Sequence, residues 1–298
     1  MRANIAAIAL VALAGCSSEP AAGDTDWMAQ LPDGSSLAAL TIPGTHDSGA
    51  IHEPAMGIAK TQTLTFAEQL DAGIRYFDVR CRNFNDQFLI YHGSIDQDQT
   101  FDDVLAAMYA FLDAHPHETL IVSVKEELAA QGGTLTFEQL FQQYAAKDPP
   151  RWFLDNRIPT LGEARGKLVL LRRFDATSSS LGIAAGPAVW TDNATFEIAG
   201  PPALHVEDNY IVTDDALKWS AITSLFGEAT SPSDPSALYL AYTSGYQMIS
   251  GLPNIPSVSD TIDSMLDTYF ASAPTARYGV VVMDFATAAR AHAVLTKN

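Results

Sequence analysis

Eight short apolar runs, most of them followed by a stretch with helical periodicity, constrain this chain more than any other feature. They lie at 38–42, 74–79, 87–91, 119–124, 167–171, 203–206, 238–242 and 280–283. Near-continuous apolar runs of this length suit parallel strands covered on both faces. Helical patterns stand between most of them, at 63–72, 101–114, 137–146, 214–225, 261–270 and 287–295, with a shorter turn at 161–164 and a first short helix at 26–30. In 101–114 the residues Phe101, Val104, Leu105, Met108, Phe111 and Leu112 follow one helical face. Alternating strands and helices predict an α/β chain, and eight strands predict a single-domain (β/α)8 barrel of the TIM type. The barrel is expected to be distorted. Residues 83–86 are too few for a crossover helix, and 177–200 and 243–258 read as long loops. The competing open doubly wound sheet lacks its glycine-rich nucleotide loop after the first strand.

The core is large enough for such a fold, since 47% of the 298 residues are apolar. The formal charge of −18 excludes a nucleic-acid partner, because phosphate contacts need clustered Lys and Arg. Residues 1–15 read as a signal peptide, with Arg2 as the only charge and an apolar stretch too short to span a bilayer. The segment ends in Leu13-Ala14-Gly15-Cys16, which resembles a bacterial lipobox, with Cys16 the lipidated residue. Residues 16–26 follow as a flexible tether, and 27–298 as the barrel. The expected location is the bacterial cell envelope, lipid-anchored at the outer membrane or cell surface. One further cysteine, Cys81, cannot make an internal disulfide, and its apolar neighbours argue against a nucleophile.

Active sites of such barrels lie at the C-terminal ends of the strands. Those ends carry His46 and Asp47, Asp78 and Arg80, His92, Lys125, Arg173, Asp208 with Tyr210, and Asp284. Two histidines with two aspartates suit cleavage of a phosphodiester by internal attack. One imidazole removes a proton from the attacking hydroxyl and the other donates one to the leaving alkoxide, each role worth about 10²–10⁴-fold. A carboxylate on the far ring nitrogen fixes the tautomer. A guanidinium between them stabilises charge on the phosphorus. His52, His115, His117, His205 and His292 lack such a pattern and read as structural, and Glu126 and Glu127 read as charge balance.

Six stretches in order carry a family resemblance: Thr41-Ile42-Pro43-Gly44-Thr45-His46-Asp47-Ser48-Gly49, Gly73-Ile74-Arg75-Tyr76-Phe77-Asp78-Val79-Arg80, Tyr91-His92-Gly93, Ile121-Val122-Ser123-Val124-Lys125-Glu126-Glu127, Gly166-Lys167-Leu168-Val169-Leu170-Leu171-Arg172-Arg173-Phe174 and Val281-Val282-Met283-Asp284. Together they resemble bacterial phosphatidylinositol-specific phospholipase C of the X-domain type, across nearly the whole of 27–298. The resemblance implies a distorted, incomplete TIM barrel that cleaves phosphatidylinositol to diacylglycerol and inositol 1,2-cyclic phosphate. It implies His46 as general base with Asp284 as partner, His92 as general acid with Asp47 as partner, and Arg80 on the phosphate with Asp78 beside it. Lys125, Arg173, Asp208 and Tyr210 would hold the inositol ring.

Calcium-dependent relatives place a carboxylate where Arg80 stands, so a metal-independent enzyme is expected. The further expectations are no cofactor, a monomer, and a phosphoinositide lipid and a membrane surface as partners. The chain departs from the pattern at the membrane side. Residues 50–65 hold no tryptophan, and the late loop offers Tyr246, Met248, Ile249 and Leu252 instead. A more soluble glycerophosphoinositol-like substrate is an alternative on the same scaffold. A metal-dependent glycerophosphodiester phosphodiesterase would need a carboxylate pair where only Asp47 stands. A non-catalytic inositol-binding module would not need the full His46, Asp47, Arg80, His92 and Asp284 set.

Overall fold

The computed structural model describes residues 24–54 and 57–298. The signal segment, Cys16 and the tether up to residue 23 lie outside the described residues. The tether expected to run to residue 26 is docked over its last three residues. Asp24 is buried against His292 at 2.9 Å, Asp26 meets His115 at 2.6 Å, and the Thr25 carbonyl accepts from Arg75. Asp24, Thr25 and Asp26 are thus each held by a side chain distant in sequence.

In chain order the strands are β1 (Thr41–Thr45), β2 (Tyr76–Phe84), β3 (Gln87–His92), β4 (Ile95–Thr100), β5 (Leu120–Gln131), β6 (Trp152–Phe153), β7 (Leu168–Arg173), β8 (Ile183–Ala184), β9 (Ala194–Ile198), β10 (Leu204–Asp208), β11 (Leu238–Tyr242), β12 (Gln247–Ile249), β13 (Leu252–Asn254) and β14 (Gly279–Met283). The α-helices are α1 (Phe66–Asp71), α2 (Phe101–Ala114), α3 (Phe137–Ala146), α4 (Leu161–Ala164), α5 (Asp215–Thr230), α6 (Pro256–Ser272) and α7 (Ala288–Leu295). α1, α2 and α3 each start at a threonine whose hydroxyl and a Glu, Asp or Gln three residues on cap one another reciprocally.

The main sheet runs β6-β7-β5-β2-β1-β14-β11-β10-β9. Every pairing from β7 to β10 is parallel, and β9 turns back antiparallel on β10. The sheet curls into an incomplete barrel with β6 and β9 as its ends. The third apolar run is therefore not a stave. β3 lies antiparallel to β2 and β4, because Asn85 and Asp86 adopt φ of 53° and 62° and close a two-residue hairpin. The first strand starts at Thr41 and not at 38, since Leu37–Ala39 form a 3-10 turn. β5 continues past its apolar run to Gln131 because the extended β2 pairs with it beyond the barrel rim. The two expected loops hold short strands: β8 and β9 in the first, and the β12–β13 hairpin in the second.

Alternation along the staves separates two apolar layers. Ile42, Tyr76, Ile121, Val169, Leu171, Val206, Leu240, Val280 and Val282 fill the interior of the barrel. Phe77, Val122, Val124, Leu168, Leu170, Val281 and Met283 face the other way, against the helices. Burying each such side chain contributes about 1.5–3 kcal/mol. Cys81 belongs to the outer layer, is fully buried, and burial pushes its thiol well up, away from a nucleophile. Among the described residues no helix is long and apolar enough to cross a membrane.

Candidate active site

Register decides which side chains meet. β1 and β14 pair in parallel up to Thr45 opposite Met283, so the next residues, His46 and Asp284, leave their strands at one level. His46 Nδ1 lies 2.7 Å from Asp284 Oδ1, and the second Asp284 oxygen accepts from the Gly245 amide at 3.3 Å. β1 can carry a proline here because the Pro43 carbonyl accepts from Arg75 on the β2 side, so the missing N–H faces that same side, where the ladder starts only at Gly44.

Asp47 leaves the other way. Its φ of 38° is a left-handed conformation that aspartate tolerates. The turn sends its carboxylate to β3, where Oδ2 meets His92 Nδ1 at 2.6 Å. Burial disfavours the His92 imidazolium, but the hydrogen bond and charge of Asp47 outweigh it and push the pKa up. Each histidine thus has its Nδ1 on a carboxylate, which leaves Nε2 for other chemistry.

Across β2, β5 and β7 the ladder aligns Arg80 with Lys125 and Lys125 with Arg173, giving a row of three cations on adjacent strands. Arg80 Nε donates to Asp78 at 2.9 Å, with Asp47 at 3.8 Å and Glu127 at 3.7 Å. Glu127 also accepts from Lys125 at 2.6 Å and from the Gly93 amide at 2.8 Å, beside His92. Burial would raise the Glu127 carboxyl, but Arg80 and Lys125 hold it down at about 2. Burial and the charge of Arg80 lower the Lys125 pKa. Asp78 is wholly buried. Burial would raise its carboxyl as well, but Arg80 and Arg173 hold it well below the usual range.

These groups open on one cavity of about 530 Å³. Of the residues singled out in the sequence, His46, Arg80, His92, Lys125, Arg173, Asp208, Tyr210 and Asp284 line it. Asp47 and Asp78 stand behind the wall. For Asp47 that fits a partner of His92. Asp78, expected beside Arg80, accepts from its Nε and, at 3.6 Å, faces Arg173.

Sequence reading missed Trp190. It sits in the segment between β8 and β9, with Arg173 stacked 3.7 Å above its ring and its indole N–H on Asp208 at 3.0 Å. Asp192 was missed too, and it accepts from the Tyr210 hydroxyl at 2.8 Å. The one signal available was a tryptophan in a stretch otherwise rich in Ser, Gly and Ala. Glu127 was read as charge balance and is the bridge between Arg80, Lys125 and the His92 turn.

Residues 40–174 match the family described as phosphatidylinositol-specific phospholipase C, X domain. The chain is 30% identical to the 1-phosphatidylinositol phosphodiesterase of Staphylococcus aureus, over 94% of this chain and 91% of that protein. A crystal structure of phosphatidylinositol-specific phospholipase C from Staphylococcus aureus superposes with a TM-score of 0.83 at 27% identity, covering 93% of this chain and 98% of the other. That of the Listeria monocytogenes enzyme gives 0.73 at 25% identity, covering 92% and 98%. The chain belongs to the phosphatidylinositol-specific phospholipase C family.

Proposed function

We propose that this protein cleaves phosphatidylinositol to diacylglycerol and inositol 1,2-cyclic phosphate, with no metal ion. The observation that carries the reading is the pair of aspartate-backed histidines on one cavity whose wall also holds Arg80. Asp284 accepts from Nδ1–H of His46, which leaves Nε2 free to take the proton of the inositol 2-hydroxyl. The freed oxygen bonds to phosphorus as the bond from phosphorus to the glycerol oxygen breaks. His92, its imidazolium favoured by Asp47, gives its Nε2 proton to that leaving oxygen. Arg80 neutralises the non-bridging oxygens as charge builds on them. Lys125, Arg173, Asp208 and Tyr210, with Trp190, line the part of the cavity suited to a polyhydroxylated ring.

Metal independence is supported by the donor set. Arg80 occupies the centre, the carboxylates around it are already paired with cations, and a guanidinium there repels Ca²⁺, which needs a shell of oxygen ligands.

Action at a lipid surface is supported by the β12–β13 hairpin. Met248, Ile249 and Leu252 are exposed there, while neighbouring Tyr246, Pro253 and Ile255 line the cavity. Anchorage through lipidated Cys16 is supported by the Leu13-Ala14-Gly15-Cys16 motif. Loss of the protein from the membrane fraction on Cys16→Ser is the expected result, and unchanged retention would remove the anchor from the reading.

The test of the activity is ³¹P NMR of the protein with phosphatidylinositol in detergent micelles and EDTA, beside His46→Ala. A cyclic phosphodiester resonance with the parent and none with the variant is expected. No reaction with phosphatidylinositol but turnover of glycerophosphoinositol would keep the site and replace the substrate. Activity restored only by Ca²⁺ would end the metal-free reading.

A further inference from the structure

We infer that Gln62 is a positioning residue for the general-base pair, a splint that holds the ends of β1 and β14 at the separation the His46–Asp284 contact requires. The inference rests on the catalytic reading above and adds to it a residue that touches neither substrate nor imidazole.

Gln62 is fully buried, and both ends of its amide are engaged at this junction. Its Nε2 donates to the His46 carbonyl and to the Met283 carbonyl, both at 2.9 Å. Its Oε1 accepts from the Ala286 amide at 3.2 Å. Two carbonyls and one N–H face the amide, so only this orientation satisfies all three. The side chain therefore bridges the residue that carries the imidazole and the residues on either side of the Asp284–Phe285 turn.

The neighbour Thr61 braces the same place. Its hydroxyl donates to the Asp47 carbonyl at 2.9 Å, and its carbonyl accepts from the Phe285 amide at 2.6 Å. Asp47 and Phe285 both have positive φ, 38° and 42°. For a phenylalanine that conformation is strained and persists only where its surroundings over-determine it. These two left-handed turns adjoin the two aspartates, and residues 61 and 62 hydrogen-bond to both. A second buried amide, Gln69, holds the far side of the His46 loop, accepting from Thr45 Oγ1 at 2.8 Å and donating to the Ser48 carbonyl at 2.9 Å.

The ladder by itself does not provide this. The last β1–β14 pair is Thr45 with Met283, one residue short of the catalytic groups. Beyond it only the His46 amide, on Met283 O at 2.9 Å, continues the pairing. Without the amide of Gln62, the Met283 and His46 carbonyls would lose a buried donor, and the turn after Asp284 its acceptor.

The test compares Gln62→Leu and Gln62→Glu with Thr41→Val. The last removes buried hydrogen bonds near the opposite end of β1, to Ala276 and Tyr278, far from the site. kcat and KM are measured on phosphatidylinositol with EDTA, and the downfield proton resonance of the His46–Asp284 hydrogen bond is recorded by NMR. Gln62→Leu is expected to lower kcat by about 10²-fold with KM within about twofold, the scale of a displaced catalytic group, and to abolish or shift the resonance. Thr41→Val, at a comparable loss of thermal stability, keeps both. Gln62→Glu is expected to recover towards parental kcat as pH falls, because a protonated carboxyl regains one donor. A parental kcat and an intact resonance in Gln62→Leu, or an effect equal to that of Thr41→Val, would overturn the inference. Where Gln62→Leu does not fold, Gln62→Glu decides, and a ratio to parent that is flat with pH counts against it. The resonance needs no turnover, so failure of the parent on phosphatidylinositol would remove the activity and still leave the splint tested.

Discussion

Asp47 Oδ2 lies 2.6 Å from Nδ1 of His92, 45 residues away in the chain, and not on the imidazole of its sequence neighbour. The left-handed turn at Asp47 separates the two directions, so one short loop carries His46 and holds His92. Asp47 also approaches Arg80 at 3.8 Å, so one carboxylate faces both the His92 ring and the guanidinium.

Asp47→Asn removes the charge that keeps the His92 imidazolium favoured. The pKa of His92 is raised in the parent, by Asp47 against burial, and must fall in the variant. A general acid works only while protonated, so the alkaline limb of the kcat profile moves to lower pH. A loss of roughly 10²–10⁴-fold in kcat near pH 8 is expected. A pH–rate profile on phosphatidylinositol checks it, and an unmoved limb would mean that His92 does not act as the acid.

Charging the hairpin should separate surface binding from chemistry. With Met248→Asp and Ile249→Asp combined, turnover of phosphatidylinositol in vesicles is expected to fall by about 10-fold or more, since burying each side chain contributes about 1.5–3 kcal/mol. Turnover of a monomeric short-chain substrate should stay within about twofold of the parent by the same reasoning. An equal fall with both substrates would place the damage in the cavity and not at the interface.

Asp263 on α6 faces Arg290 of α7 at 2.9 Å, yet burial, with the nearby charges of Asp284, Asp267 and Asp260, pushes its carboxyl up to about 7. The folded protein keeps this proton over a range in which the unfolded chain, with a carboxyl near pKa 3.9, has lost it. The stabilisation is complete below that lower value and is lost as pH rises through about 7. Urea denaturation at pH 4 to 8 should show a falling contribution of at most about 1.4 kcal/mol per pH unit. The parent-minus-Asp263→Asn difference should carry that slope, and a flat difference would contradict it.

The Lys218–Glu207 pair is buried, with Glu207 next in the chain to Asp208 of the cavity wall. Lys218 Nζ lies 2.9 and 3.0 Å from the two Glu207 oxygens and also donates to the Tyr242 carbonyl. Glu207 in turn accepts from Asn209, between Asp208 and Tyr210. Lys218→Met leaves a buried carboxylate unpaired and should cost about 3–5 kcal/mol in chemical denaturation. Adding Glu207→Leu should recover most of that loss, and a double variant as weak as the single would show that the site needs the ions themselves.

Elements with a one-dimensional signature were legible. α2 and α3 have the bounds that apolar spacing predicts, 101–114 and 137–146, and β11 occupies its expected 238–242. The strand-end pattern also brought His46, Arg80, His92 and Asp284 into view, and the family resemblance agreed with the relatives found. What stayed hidden has no local period. β3 looked like a stave because an apolar run does not reveal the direction of its neighbour. The end of β5 was missed because its pairing with β2 continues where hydrophobicity stops.

By itself, the sequence determined that this chain builds strands, helices and a ring of ionisable groups at strand ends, because burial and helical period are written into residue order. Tertiary structure decided the rest. The Arg80–Lys125–Arg173 row exists only through parallel register, the His46–Asp284 contact spans 238 residues, and Trp190 and Gln62 gain their places from partners on other elements. Such contacts depend on how strands align across a sheet and on which buried donor meets which carbonyl, and neither is recorded in the spacing of residues along one chain.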